Sequence, residues 1–84
     1  MSKSKKFLYS YLNAFAPVAQ ETEGQKIWKD YVRPFVDSMY TDAYGTAYGI
    51  RHGDGSNLPK VVIEAHADEI AWIITHIEED GYIR

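Results

Sequence analysis

Cysteine is absent from all 84 residues, which excludes disulfide staples and thiolate metal sites together. A chain this short buries only about 60–65% of its unfolded surface, so its usual supports are cross-links, a metal or a partner. With cross-links gone, partner surface or further chain becomes the requirement. No stretch reaches the ~18 consecutive apolar residues of a membrane-spanning helix. The basic cluster Lys3, Lys5 and Lys6 is followed by a segment broken by Tyr9, Ser10, Tyr11 and Asn13, which is no signal-peptide core. Positive charge is also scarce. Nine Lys and Arg against twelve Asp and Glu give −3, so nothing draws nucleic-acid phosphates or anionic lipid from a distance. Neither nucleic acid nor membrane is an expected partner, and the cytoplasm is the expected compartment. What remains is 45% hydrophobic and 14% aromatic, too apolar for a disordered chain and enough for one core at most.

Two helical stripes come first. Phe7, Leu8, Tyr11, Leu12 and Phe15 recur at the 3.6-residue period, and Ala16-Pro17 stops them. Ile27, Trp28, Tyr31, Val32 and Phe35 repeat the pattern after Thr22-Glu23-Gly24-Gln25, whose spacing is that of a capping box. Pro34 lacks an amide proton and clashes one turn back, so this helix should end or bend near Val32 to Arg33.

Beyond Asp37 the period becomes extended. Residues 39–41, 46–51, 60–65 and 70–77 are rich in β-branched and aromatic side chains and are separated by turn residues, so four strands are predicted after the two helices. Val61-Val62-Ile63 and Ile70-Ala71-Trp72-Ile73-Ile74 are apolar on both faces, as central strands covered on each side are. Two helices are too few to cover them. Glu79-Asp80-Gly81 is a hairpin turn signal, and Tyr82-Ile83-Arg84 begins a strand shorter than the usual ~5–6 residues. The fold class is therefore α/β, two N-terminal helices followed by strands, with residues 1–84 expected to be the amino-terminal part of a larger domain.

One run of residues points to chemistry: Val61-Val62-Ile63-Glu64-Ala65-His66-Ala67-Asp68-Glu69-Ile70. His and Asp two apart share a face if the backbone stays extended, and they lie at the end of a strand, where open α/β sheets keep their ligand sites. Imidazole binds zinc or cobalt through one ring nitrogen, and a carboxylate commonly holds the other in the required tautomer. On this reading His66 would be the metal ligand and Asp68 its orienter; the alternative for a single His beside a strand is a hydrogen-bonded structural residue. Glu69 should point to the opposite face from Asp68, and Glu64 shares the face of His66; neither is assigned a role. His76 reads as a sheet residue and His52 as solvated. Glu78, Glu79 and Asp80 read as a solvated charge run, and Tyr40, Tyr44 and Tyr48 as packing residues. Gly53-Asp54-Gly55 lacks the Lys and helix of a phosphate loop.

From the Ala16-Pro17 region to Arg84, the order and spacing of these pieces resembles the tetrahedral dinuclear-metal aminopeptidases, which include glutamyl and deblocking aminopeptidases and members once labelled endoglucanases. The likeness is most specific at His66-Ala67-Asp68-Glu69-Ile70, where that family has His-Met-Asp-Glu-Ile. It departs at Ala67, at Gly45-Thr46 in place of Gly-Asn, and at Ala19, where a Ser-Gly-Tyr-Glu stretch has Gly and Glu21 matches its Glu. The resemblance implies an α/β/α sandwich carrying two divalent ions, zinc or cobalt. His66 would be the first metal ligand and Asp68 the catalytic carboxylate that steadies it. Further Asp, Glu and His ligands, a Glu general base acting on a metal-bridging water, and an inserted β domain would all lie outside these residues. It also implies peptide substrates trimmed from their free amino terminus and assembly into a homo-oligomer, a dodecamer in the family. One ligand makes no working site, so the 84-residue chain by itself is expected to be inactive. The competing reading is a small non-catalytic interaction module that completes its sheet on a partner, with His66 structural.

Overall fold

A computed structural model describes all residues from Met1 to Arg84. Helix α1 spans Lys3–Leu12 and helix α2 spans Thr22–Val32. A single 3-10 turn, Arg33–Phe35, follows, with Pro34 inside it. The stripes meet through their aromatic rings, while Leu8, Leu12, Phe15 and Phe35 stay exposed and α1 ends at Leu12, before Phe15. Phe7 of α1 stacks on Tyr31 of α2 with centroids 4.1 Å apart and planes 12° apart, and Tyr31 continues to Phe35 at 5.9 Å. Aromatic contacts of this kind add to the area they bury, so the helix pair is held along its shared stripe. Pro34 stops α2 where its missing amide predicts.

The two helices start differently, and the start of α2 departs from expectation. The hydroxyl of Ser2 caps α1 by accepting from the Lys5 amide at 3.3 Å. Thr22-Glu23-Gly24-Gln25 is not a capping box: Thr22 already lies inside α2, Glu21 occupies the cap, and no side chain caps the helix. Gln25 instead donates through Nε2 to the Gly45 carbonyl at 3.0 Å, and Glu21 accepts from the Ala19 amide at 2.8 Å. A partner offered by tertiary structure has displaced the local one.

Strand β1, Ser38–Thr41, pairs antiparallel with β2, Ala47–Ile50, bringing Tyr40 opposite Tyr48. Their rings stack at 4.5 Å, a cross-strand aromatic pair, whereas Tyr44 at the turn is exposed. Gly49 faces α2 so closely that a Cβ there would lie 3.1 Å from Val36 and 3.3 Å from Val32. The hairpin is thereby fixed on the second helix.

The remaining predicted strands are corrected. Residues 60–65 and 70–77 form no sheet: the first segment pairs with nothing, the second carries one isolated bridge, Ile77 with Ile83, and a further bridge, Pro17 with Glu69, lies between the two segments. The Ile77–Ile83 bridge closes the C-terminal Glu78–Tyr82 hairpin, where Gly81 takes φ +91°, a backbone state that glycine adopts without strain. The expected covered strand is in fact uncovered: Ile63 is 94% exposed, Ile70 97% and Trp72 95%. The radius of gyration, 17.9 Å, exceeds the roughly 12 Å of a compact chain this long. Only Ala14, Ala16, Pro17 and Gly24 are buried, all where the α1–α2 connector meets α2.

Candidate functional site

The sequence places His66 and Asp68 two residues apart on an extended segment, and the structure brings their side chains together. Nδ1 of His66 lies 3.1 Å from Oδ1 of Asp68 and 2.9 Å from the Asp68 carbonyl oxygen. Both neighbours are acceptors, so Nδ1 must carry the proton. In the neutral ring Nε2 then holds the free lone pair, and no hydrogen bond occupies it. The imidazole is 85% exposed and the carboxylate 41%, so the nitrogen faces open space rather than packing.

Opposite the pair lies the turn between β1 and β2. A cleft of about 180 Å³ is bounded by Glu21, Gln25, Tyr44 to Thr46 and Ala65 to Asp68. Asp42 builds that turn. Its Oδ1 accepts from the amides of Tyr44 at 2.9 Å and Thr46 at 3.0 Å, and its Oδ2 accepts from the Tyr48 hydroxyl at 3.1 Å. Partial desolvation works against the Asp42 charge, but the amides of Thr46 and Tyr44 and the Tyr48 hydroxyl outweigh it and hold the carboxyl below the usual carboxylate range. The same bond, with the negative charge behind it, raises the Tyr48 phenol. Gln25 pins Gly45 from α2. The turn is thus tied to both the hairpin and the helix before it meets His66.

The chemistry of the donors fits a divalent ion in part. An imidazole with Nδ1 held by oxygen and Nε2 free has the arrangement of a metal-ligating histidine. No group of three or more His, Asp or Glu side chains that could hold a metal ion is assembled, so the His66–Asp68 pair by itself is not a closed site. The other candidates stay apart. His76 lies 3.6 Å from Glu78, which itself pairs with Arg84 at 2.7 Å, in the C-terminal hairpin. His52 is exposed, and its amide donates to Asp37 at 2.6 Å.

Glu69 is what the residue pattern missed. Its side chain accepts from the Ala16 amide at 3.2 Å while its own amide donates to the Ala16 carbonyl at 2.8 Å. Nothing near it in sequence signals a partner 53 residues away.

Comparison with known proteins bears on what this arrangement serves. Residues 45–84 match the family described as M42 glutamyl aminopeptidase. A lysyl aminopeptidase of Pyrococcus furiosus is 38% identical over 55 residues, covering 66% of this chain and 15% of the relative. An Escherichia coli protein named as an aminopeptidase, FrvX, is 30% identical over 77 residues, 92% of this chain and 21% of the relative. A Pyrococcus abyssi protein named as a [LysW]-lysine/[LysW]-ornithine hydrolase is 28% identical over 76 residues, 89% of this chain and 22% of the relative. The chain therefore spans about a fifth or less of the length of these relatives. No solved structure matches it.

Proposed function

Since the chain carries sequence of the M42 glutamyl aminopeptidase family, we propose that the whole protein is a metal-dependent aminopeptidase, with His66 as one metal ligand and Asp68 as its orienter. The observation that supports this reading is the pair of oxygens beside Nδ1 of His66, which assigns the ring proton to that nitrogen. That assignment leaves Nε2 as the only ring nitrogen able to donate to a cation. A divalent ion, zinc or cobalt, would supply Lewis acidity toward a peptide carbonyl and lower the pKa of water.

The residues of this chain have the tasks of holding and orienting. Asp68 fixes the tautomer and the ring plane of His66, and its negative charge makes the imidazole a better donor. The Asp42 turn, tied down by Gln25, walls the cleft beside the pair and would limit how substrate approaches. The apolar segments 60–65 and 70–77 would be covered by further chain in the whole protein, consistent with the length of the relatives. Peptides with a free amino terminus are the substrates this reading entails, and self-association accompanies it.

The test is His66→Ala in the whole protein. It should abolish peptide hydrolysis and lower bound metal by about one ion per subunit, because a lost ligand cannot be replaced by its orienter. Unchanged turnover and metal content would defeat the assignment and favour a structural His66.

A further inference from the structure

Between Gly53 and Ile74, only two hydrogen bonds reach any other part of the chain, and both are made by Glu69. Its amide donates to the Ala16 carbonyl at 2.8 Å, and its carboxylate accepts from the Ala16 amide at 3.2 Å. One residue thus grips both polar groups of another. The grip falls at the best-packed place in the molecule: Ala14, Ala16, Pro17 and Gly24 are the buried residues, and a Cβ on Gly24 would already sit 3.6 Å from that of Ala16. On either side of Glu69 the segment is loose, with His66 85% exposed and Ile70 97% exposed.

We infer that Glu69 is a positioning residue for the His66–Asp68 pair, a clamp that fixes the adjoining Asp68 backbone to the α1–α2 connector. The inference rests on the aminopeptidase reading for its functional meaning, but its geometry stands independently. Asp68 presents two acceptors to the imidazole, one of them its own carbonyl, whose direction is set by the peptide plane shared with Glu69. Anchoring Glu69 therefore orients that carbonyl and, through it, the ring. Without the clamp the pair would keep its local bonds but lose its place beside the Asp42 turn. Supporting contacts of this kind decide whether a site is held tightly enough to bind.

Glu69→Ala, Glu69→Gln and His66→Ala in the whole protein separate the possibilities. Zinc affinity is read by chelator competition, and amide hydrogen exchange of the metal-free protein is read over residues 65–70. Glu69→Ala should weaken zinc binding by ~10-fold or more and speed exchange across that segment, the scale seen when partners of a ligand are removed. Glu69→Gln keeps an oxygen acceptor for the Ala16 amide and should restore both readouts. Should the alanine variant fail to fold, Glu69→Asp, which withdraws the acceptor by one methylene, should show the same losses. Wild-type affinity and exchange in the alanine or aspartate variant overturn the clamp, as does a glutamine variant no better than alanine. If His66→Ala leaves bound zinc unchanged, the aminopeptidase reading fails while the exchange comparison still judges the clamp. If His66→Ala loses zinc and Glu69→Ala does not, only the clamp fails.

Discussion

Removing the Asp68 carboxylate should weaken metal binding far less than removing the imidazole, and the structure sets the amount. Partners of metal-bound histidines contribute roughly 10–100-fold to affinity. Here Nδ1 of His66 has a second acceptor, the Asp68 carbonyl, at 2.9 Å, closer than the carboxylate at 3.1 Å. Asp68→Ala leaves that carbonyl in place, so the proton stays on Nδ1 and Nε2 remains the donor. The carboxylate is also 41% exposed, so solvent screens the charge it presents to the ring. Both considerations put the loss at the low end, about 10-fold or 1.4 kcal/mol. Asp68→Asn keeps an oxygen near Nδ1 and gives up only charge, so its loss should be smaller still and should shrink further as salt is added. The assay is zinc titration of the metal-free whole protein against a competing chelator at low and moderate salt. An Asp68→Ala loss beyond ~1,000-fold would mean that the carboxylate does more than steady the ring, such as binding the ion itself. No loss at all would mean that it does not act on the ring.

The Asp42 turn should keep its order across a wide pH range bounded by two titrations. Burial opposes the Asp42 charge, but the Thr46 and Tyr44 amides and the Tyr48 hydroxyl hold its pKa below 3.8, so its stabilising share is present above that value and is lost as pH falls through the lowered pKa. Tyr48, raised above 10.0 chiefly by its bond to Asp42, contributes fully below 10.0 and loses its share as pH rises through the raised pKa. Amide shifts of Tyr44 and Thr46 should therefore be flat between these limits, and a transition near neutrality would contradict the bonding. Ala19→Gly should stabilise the protein: Ala19 sits at φ 66°, a left-handed state costing a side chain ~1–2 kcal/mol, against ~0.4–1 kcal/mol for the freer unfolded glycine. A net gain of roughly 0.5 kcal/mol should appear as a small rise in melting temperature, and a fall would show that the alanine methyl makes a contact worth more than the strain.

What was legible in the sequence is what local spacing controls. The two aromatic stripes gave α1, α2 and the Phe7–Tyr31 stack, and Pro34 marked the end of α2. The likeness that sets Ala19 against a family glycine meets its physical counterpart in the positive φ found there. The capping box failed because Gln25 had a better partner in Gly45, which its own neighbourhood cannot announce. Residues 60–65 and 70–77 have strand composition, but strand formation needs a second edge, and apolar faces on both sides need two covering layers. Pairing is a property of what lies alongside, so composition alone predicted more sheet than these residues can assemble. Glu69 joins the two cases. The alternation that puts His66 and Asp68 on one face puts Glu69 on the other, and that face meets the Ala16 connector. A strand's alternation says where a side chain points but not what waits there, so a residue excluded from the metal pair by its direction becomes, for the same reason, the one able to hold that pair in place.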